Sequence, residues 1–189
     1  MTTLEKSYFN SFREVTKAIS STLDLQQVLD LVVTKTAEVM KLKACAIRLL
    51  DSKRRTLELL ASKGLSEAYI KKGAVDADRS IAEAMEGKTI VIHDAGKDPR
   101  AQYQKEAVEE GIASIVSIPL QVRGRIIGVL RLYSSTPREF TTDELEFAEA
   151  LAEMGAIAIE NAKMYERIKK DYESVMTDIY NFVGYRRSI

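Results

Sequence analysis

Apolar residues fall at Leu4, Tyr8, Phe12, Val15 and Ile19, in steps of four and three. This is the repeat of one face of a helix. Ser20, Ser21 and Thr22 interrupt it, and Asp24 suits the N-cap of a second helix. That helix turns Val28, Leu29, Val32, Val33, Thr36, Ala37 and Met40 inward. From Cys45 the period changes to two. Cys45, Ile47 and Leu49 alternate with Ala46 and Arg48. After a polar turn over 51–55, Leu57, Leu59 and Ala61 alternate with Glu58 and Leu60. Two such runs across a polar turn predict a β-hairpin.

The middle of the chain is mixed. Leu65 to Lys72 reads as a short helix. Asp78 or Ser80 suits the cap of another over Ile81 to Glu86, ended by Gly87. Thr89 to His93 reads as a short strand, and Pro99 suits the first turn of a helix running to about Glu110. Ile112 to Leu120 is strand-like, with Pro119 near its end. A tight turn at Val122–Arg125 leads to a partner strand, Ile126 to Tyr133. Thr141 or Thr142 then caps a last helix, with Asp143 and Glu144 where negative charge suits the helix dipole. The order predicts an α+β fold: an antiparallel β-sheet with the N- and C-terminal helices on one face and short helices on the other.

The last helix carries an unbroken heptad seam: Phe147, Leu151, Met154, Ala158, Asn161, Tyr165, Ile168, Tyr172, Val175, Ile179 and Phe182. A parallel row, Ala148, Ala152, Gly155, Ile159 and Ala162, is mostly small and suits close packing on the domain's own helices. About 40 helical residues make a rod of roughly 60 Å, longer than the roughly 30–40 Å breadth of a domain this size. The rod is expected to leave the domain and pair with a second copy, with Phe147 to Val175 as the homodimer interface. The alternative is that the chain from Asp171 folds back or frays. The expected organisation is an N-terminal helix at 1–22, a domain at 23–166 and a helical extension at 167–189.

Composition narrows the function. Lys+Arg and Asp+Glu each number 28, so no net field draws nucleic acid or an acidic membrane. No N-terminal stretch reads as a signal peptide. The longest uncharged run, Gly111 to Val122, is too short to span a bilayer as a helix. A cytoplasmic location is expected, without nucleic-acid or membrane partners. Cys45 is the only cysteine, which excludes an intrachain disulfide and a cysteine zinc site.

Four segments resemble the GAF domain family of small sensor modules, related in architecture to PAS domains. They are LDLQQVLDLVVTKTAEVMKLKACAIRLLD, SIAEAMEGKTIVIHDAGKDPRA, SIPLQVRGRIIGVLRLYS and REFTTDELEFAEALAEMGAIAIENAKMYE. Their order and spacing carry the resemblance over Leu23 to Glu166. It implies a pocket between the sheet and the short helices, with Arg79, Ser80, Ile81, Ala82, His93, Asp98 and Tyr103 as its ligand-binding candidates. Tyr103 is equally suited to covering the sheet as core.

His93 invites a metal or acid–base reading beside Asp94 and Asp98. Neighbours on a strand point to opposite faces, so His93 and Asp94 do not converge, and Asp98 before Pro99 suits a turn. No metal or haem is expected. An anion at the helix start near Ser80, with Arg79 adjacent, is a nucleotide-binding arrangement. Glu83 places a negative charge there, and Ser134 and Ser135 stand where the family's cyclic-nucleotide binders carry Asn-Lys. One cysteine cannot supply the attacking and resolving thiols of the family's methionine sulfoxide reductases, and Cys45 lies outside the pocket region where bilins attach. The expectation is a non-enzymatic sensor that binds an unidentified small ligand, signals through a helical homodimer and acts on a separate effector protein. The alternative is a ligand-free dimerisation scaffold.

Overall fold

The computed structural model describes residues 3–22, 24–51, 53 and 55–186. Ser52 and Arg54, and the side chains of Leu4, Arg79, Ser80, Asp178 and residues 180–186, lie outside the described set.

Helix α1 (Thr3–Ser21) leads to α2 (Leu25–Val39), whose N-cap is Asp24, its carboxylate accepting the Gln27 N–H at 3.2 Å. Strands β1 (Ala44–Asp51) and β2 (Thr56–Lys63) form the first hairpin. Short elements follow: α3 (Glu67–Ile70), β3 (Val75–Asp76), α4 (Ala77–Ser80), a 3₁₀ turn (Ala84–Glu86), β4 (Ile90–Ile92) and α5 (Gln104–Glu109). Strands β5 (Ser114–Val122) and β6 (Arg125–Ser134) form the second hairpin, and α6 runs from Thr142 to Arg186. Among the described residues six strands make one antiparallel sheet in the order β3-β2-β1-β6-β5-β4. The α+β architecture is the one the sequence predicts.

Two local devices close the sheet. Arg123 (φ 50°) and Gly124 (φ 77°) both occupy the left-handed region, as a two-residue turn between twisted strands requires. At Gly128 an added Cβ would stand 2.2 Å from the Arg48 carbonyl oxygen, so glycine lets β6 approach β1 there.

The sheet is buried on both faces. Cys45, Ile47, Val116, Ile118, Leu130 and Leu132 face α1, α2 and α6. The alternate residues, Ala44, Ala46, Ile115, Val129 and Tyr133, form a second core with Tyr69, Ile81 and Ile92 beneath the short elements. The period of two in β1 and β6 therefore sorts apolar residues between two cores, not between core and solvent.

Helix α6 corrects the expected seam. Phe147, Leu151, Met154 and Ala158 are at most 8% exposed, because the chain's own helices and sheet cover them. Phe147 stacks on Tyr8 at 4.2 Å between ring centroids, and the Thr16 hydroxyl reaches the Met154 sulfur at 4.0 Å. The small row Ala148, Ala152 and Ile159 is buried too, and a Cβ at Gly155 would lie 3.6 Å from Ile47. Here the apolar surface of α6 spans both rows and serves the domain. Only beyond this does the stripe become free: Tyr165, Ile168, Tyr172, Val175 and Ile179 are 50–65% exposed.

Leu151→Ala is predicted to lower the unfolding free energy by about 2–5 kcal/mol, the range for emptying a fully buried leucine site. Chemical denaturation at low protein concentration tests it, since a residue serving only a dimer contact would leave the midpoint unmoved.

Candidate functional site

The register of the central strands builds a polar site inside the second core. Ala46 pairs with Arg131, Arg48 pairs with Val129, and Arg131 also pairs with Ser117 across β5. Ala46 and Arg48 leave β1 on one face, as do Val129, Arg131 and Tyr133 on β6. Both guanidinium groups thus enter the space beneath the short elements, where Arg48 is 4% and Arg131 5% exposed.

Arg131 Nε donates to the Ser117 hydroxyl at 3.1 Å. Arg48 Nη1 donates to the Leu57 carbonyl at 3.4 Å, a long contact. Arg48 Nε and Nη2 are buried without a hydrogen-bond partner, and so is the Tyr133 hydroxyl. A buried guanidinium with two unpartnered donor nitrogens is an expensive arrangement.

The lid over these groups is short and pinned. Ser66 caps α3 by accepting the Tyr69 N–H at 3.2 Å, and its own N–H and hydroxyl bond the Glu110 carboxylate. Tyr69 is buried and meets Tyr133 edge-on at 6.1 Å. Lys72 Nζ donates to the Tyr69 carbonyl at 2.9 Å and lies 3.5 Å from the Tyr69 ring centroid. The Tyr103 hydroxyl donates to the Ala74 carbonyl at 2.7 Å, and Gln102 bonds both Ala74 and Asp76. Between these groups lies a cavity of about 10 Å³, lined by Tyr69, Lys72, Gln102, Tyr103, Ile115 and Arg131 among others. That is room for about one water molecule.

The electrostatics follow from burial. Desolvation, then the charges of Arg48 and Arg131, push the Lys72 ammonium down to about 7, against the pull of Glu106 and Glu110. Burial and neighbouring Tyr133 raise the Tyr69 phenol, with the two arginines opposing. Cys45 is fully buried on the other face, and burial pushes its thiol far above the ordinary range. It is an inert core thiol.

Of the residues proposed from the sequence, Tyr103 lines the cavity and Ile81 is buried core near it. Ala82 and His93 are exposed. Asp98 turns back on Arg100, accepting its backbone N–H at 2.9 Å and its guanidinium at 2.7 Å. Arg100 also donates to the Val91 carbonyl at 3.1 Å. The pair is a clamp that ties the loop to β4, so neither His93 nor Asp98 belongs to the cavity. Asp98 is held below its ordinary range first by the Arg100 bond, with burial opposing. Helix α4 has four residues and ends at Ser80, and at its start the Asp76 carboxylate accepts the Asp78 N–H at 2.8 Å. The candidate anion site at Arg79 and Ser80 rests on side chains outside the described residues. Arg48, Lys72, Arg131 and Tyr133 were the residues missed. Their signal was an arginine at an alternate position in each of two apolar strands, ACAIRLLD and RIIGVLRLYS.

The sequence profile of the GAF domain matches residues 24–159, most of the chain. The chain belongs to the GAF domain family. It is 24% identical over 181 residues to the formate hydrogenlyase transcriptional activator of Salmonella typhimurium, covering 92% of this chain and 26% of that protein. It is 26% identical over 167 residues to the methyl sulfide methyltransferase-associated sensor of Methanosarcina acetivorans, covering 85% and 17%. The GAF domain of a phosphoenolpyruvate-protein phosphotransferase from Coxiella burnetii superposes with a TM-score of 0.75 at 22% identity, covering 88% of this chain and 99% of that one. The chain thus spans about a quarter or less of the curated relatives named here. GAF domains occur in such regulators and sensors. Among the described residues no helix of this GAF domain is long and apolar enough to cross a membrane.

Lys72 gives the site a pH signature. An unfolded lysine keeps its proton to about 10.4, while folded Lys72 releases it near 7. Between those values the unfolded chain binds the extra proton, so stability rises with pH. Below about 7 both states are protonated and Lys72 adds no slope. Urea midpoints from pH 6 to 9 are predicted to rise in the native protein and to rise less in Lys72→Met. Parallel curves would show that Lys72 is not so placed.

Proposed function

We propose that this GAF domain is the sensing module of a signalling protein. A small ligand binds between the sheet and the short helices, and two copies pair through the outer half of α6. The observation that carries this is the free apolar stripe Tyr165, Ile168, Tyr172, Val175 and Ile179 on a helix that has left its domain. Such a stripe on a single rod invites a partner with the same repeat.

One sheet separates the two functions. Arg131 lines the cavity and bonds Ser117, while Ile118, Leu130 and Leu132 on the same strands face the helices. A ligand that draws the arginines differently alters the strands on which α6 rests. It shifts helix packing only by its differential affinity for the two packings. The effector is a separate protein or a further segment of the same one, and the domain itself performs no chemistry.

The small cavity favours a second reading, a dimerisation scaffold without ligand. A ligand larger than a water must displace the lid at Lys72 and Tyr103, whereas a scaffold has no such need. A thermal shift screen separates them, because ligand binding to the folded state raises stability.

Sedimentation velocity tests the dimer. The chain is expected at twice 21.2 kDa at micromolar concentration. The double variant Ile168→Asp, Tyr172→Asp is expected at 21.2 kDa with unchanged far-ultraviolet circular dichroism of the head. A monomeric parent chain, or a double variant that still pairs, contradicts the proposal.

A further inference from the structure

The polar atoms of the cavity region specify a ligand class. Three cationic side chains share this region: Lys72 and Arg131 line the cavity, and Arg48, buried on the same face, acts with Arg131 to lower the Lys72 ammonium. Among the described residues no carboxylate pairs with Arg48 or Lys72. Glu110, on the neighbouring wall, is engaged by Ser66 and by Lys43 at 3.6 Å. Glu106 acts on Lys72 without forming an ion pair to it. A single water could accept one N–H, but it carries no charge to offset a buried guanidinium.

We infer that, once the lid opens, this face of the sheet binds a small oxyanion, a phosphate or a short carboxylate, held by Lys72 and Arg131 of the cavity lining and by Arg48 Nε and Nη2, with the Tyr133 hydroxyl as a further donor. Arg48 and Tyr133 are buried on the same face outside that lining. The inference rests on the sensor proposal in placing the ligand between sheet and short helices. It adds what the ligand must carry. A guanidinium presents parallel N–H groups that match two oxygens of one carboxylate or phosphate. Arg131 is already oriented by Ser117. Arg48, by contrast, has both Nε and Nη2 without a partner. The closed cavity holds about one water, so the anion enters by displacing the lid at Lys72 and Tyr103, and a compact anion requires the least opening.

The groups facing Lys72 are Arg48 and Arg131 from the sheet, Tyr69 and Tyr133 around it, Tyr103, and Glu106 and Glu110 from α5. An anion joining them favours the ammonium form, so binding takes up a proton near neutral pH. Affinity for a carboxylate should fall as pH rises above about 7.

The test is isothermal titration and thermal melting of the full chain with inorganic phosphate and with succinate. Sodium chloride at matched ionic strength is the control. Arg48→Met and Tyr133→Phe are compared with the parent chain. Expected is saturable binding of at least one anion, and the anion bound more tightly tells phosphate from carboxylate. Arg48→Met should weaken it by about thirtyfold or more, as loss of one side of a buried charged hydrogen bond does. That variant should melt no lower than the parent chain without anion, since it removes an unpaired buried charge. Tyr133→Phe, a milder change, should weaken binding severalfold while leaving the fold intact. Melting shifts no larger than chloride gives overturn the inference. So does binding that persists unchanged in both variants. Saturable binding of an uncharged metabolite, with neither anion bound, overturns the oxyanion class and leaves the sensor proposal standing. Failure of charged and uncharged compounds alike overturns both.

Discussion

Alternate residues of β1 and β6 leave the sheet on opposite faces, and both faces are covered. Everything notable in this molecule depends on that constraint. In a sheet with one wet face, Arg48 and Arg131 would point to water and mean nothing. Here α1, α2 and α6 take one face and the short elements take the other. The arginines are therefore carried into a second core by the same alternation that seats Cys45 and Ile47 in the first. The close approach of β6 to β1 at Gly128 holds the pair of strands together beside Arg48.

The same sheet divides labour between its faces. The helical face is a conventional apolar core that fixes the first half of α6, through Phe147, Leu151 and Ile159. The opposite face holds buried charge and a small cavity under a lid of few residues. For the proposed function, a short lid suits a site that opens and the exposed outer stripe of α6 suits an output. In the proposed sensor, the binding region and the packed element that responds share β5 and β6.

Much of the fold was legible. The 3.6-residue repeats of α1, α2 and α6, the two hairpins and the resemblance over Leu23 to Glu166 gave the family and the layers. The short elements were harder. Pro99 suggested a helix start, but Asp98 spends its carboxylate on Arg100, which holds a turn and delays α5 to Gln104. Strand β3 has two residues, Val75–Asp76, too few for any periodicity. The seam of α6 was visible as a heptad, but a repeat does not say what covers it. Its first four positions turned out to belong to the domain. The site was least legible. His93 drew attention by its rarity, yet it stands exposed, while Arg48 read only as an alternate residue of a strand and Arg131 lay unremarked in its partner strand. Only the covering of the second face, a tertiary fact, turns them into buried charge.

The central claim is that Arg48 is a buried guanidinium with open donors, available to a ligand oxygen. Nitrogen-detected magnetic resonance of the arginine Nε–H groups reads this directly. The account predicts an Arg48 Nε–H that exchanges slowly with water and moves when phosphate or succinate is added. An Arg48 Nε–H that exchanges as fast as a surface arginine, or stays fixed through the titration, would contradict it.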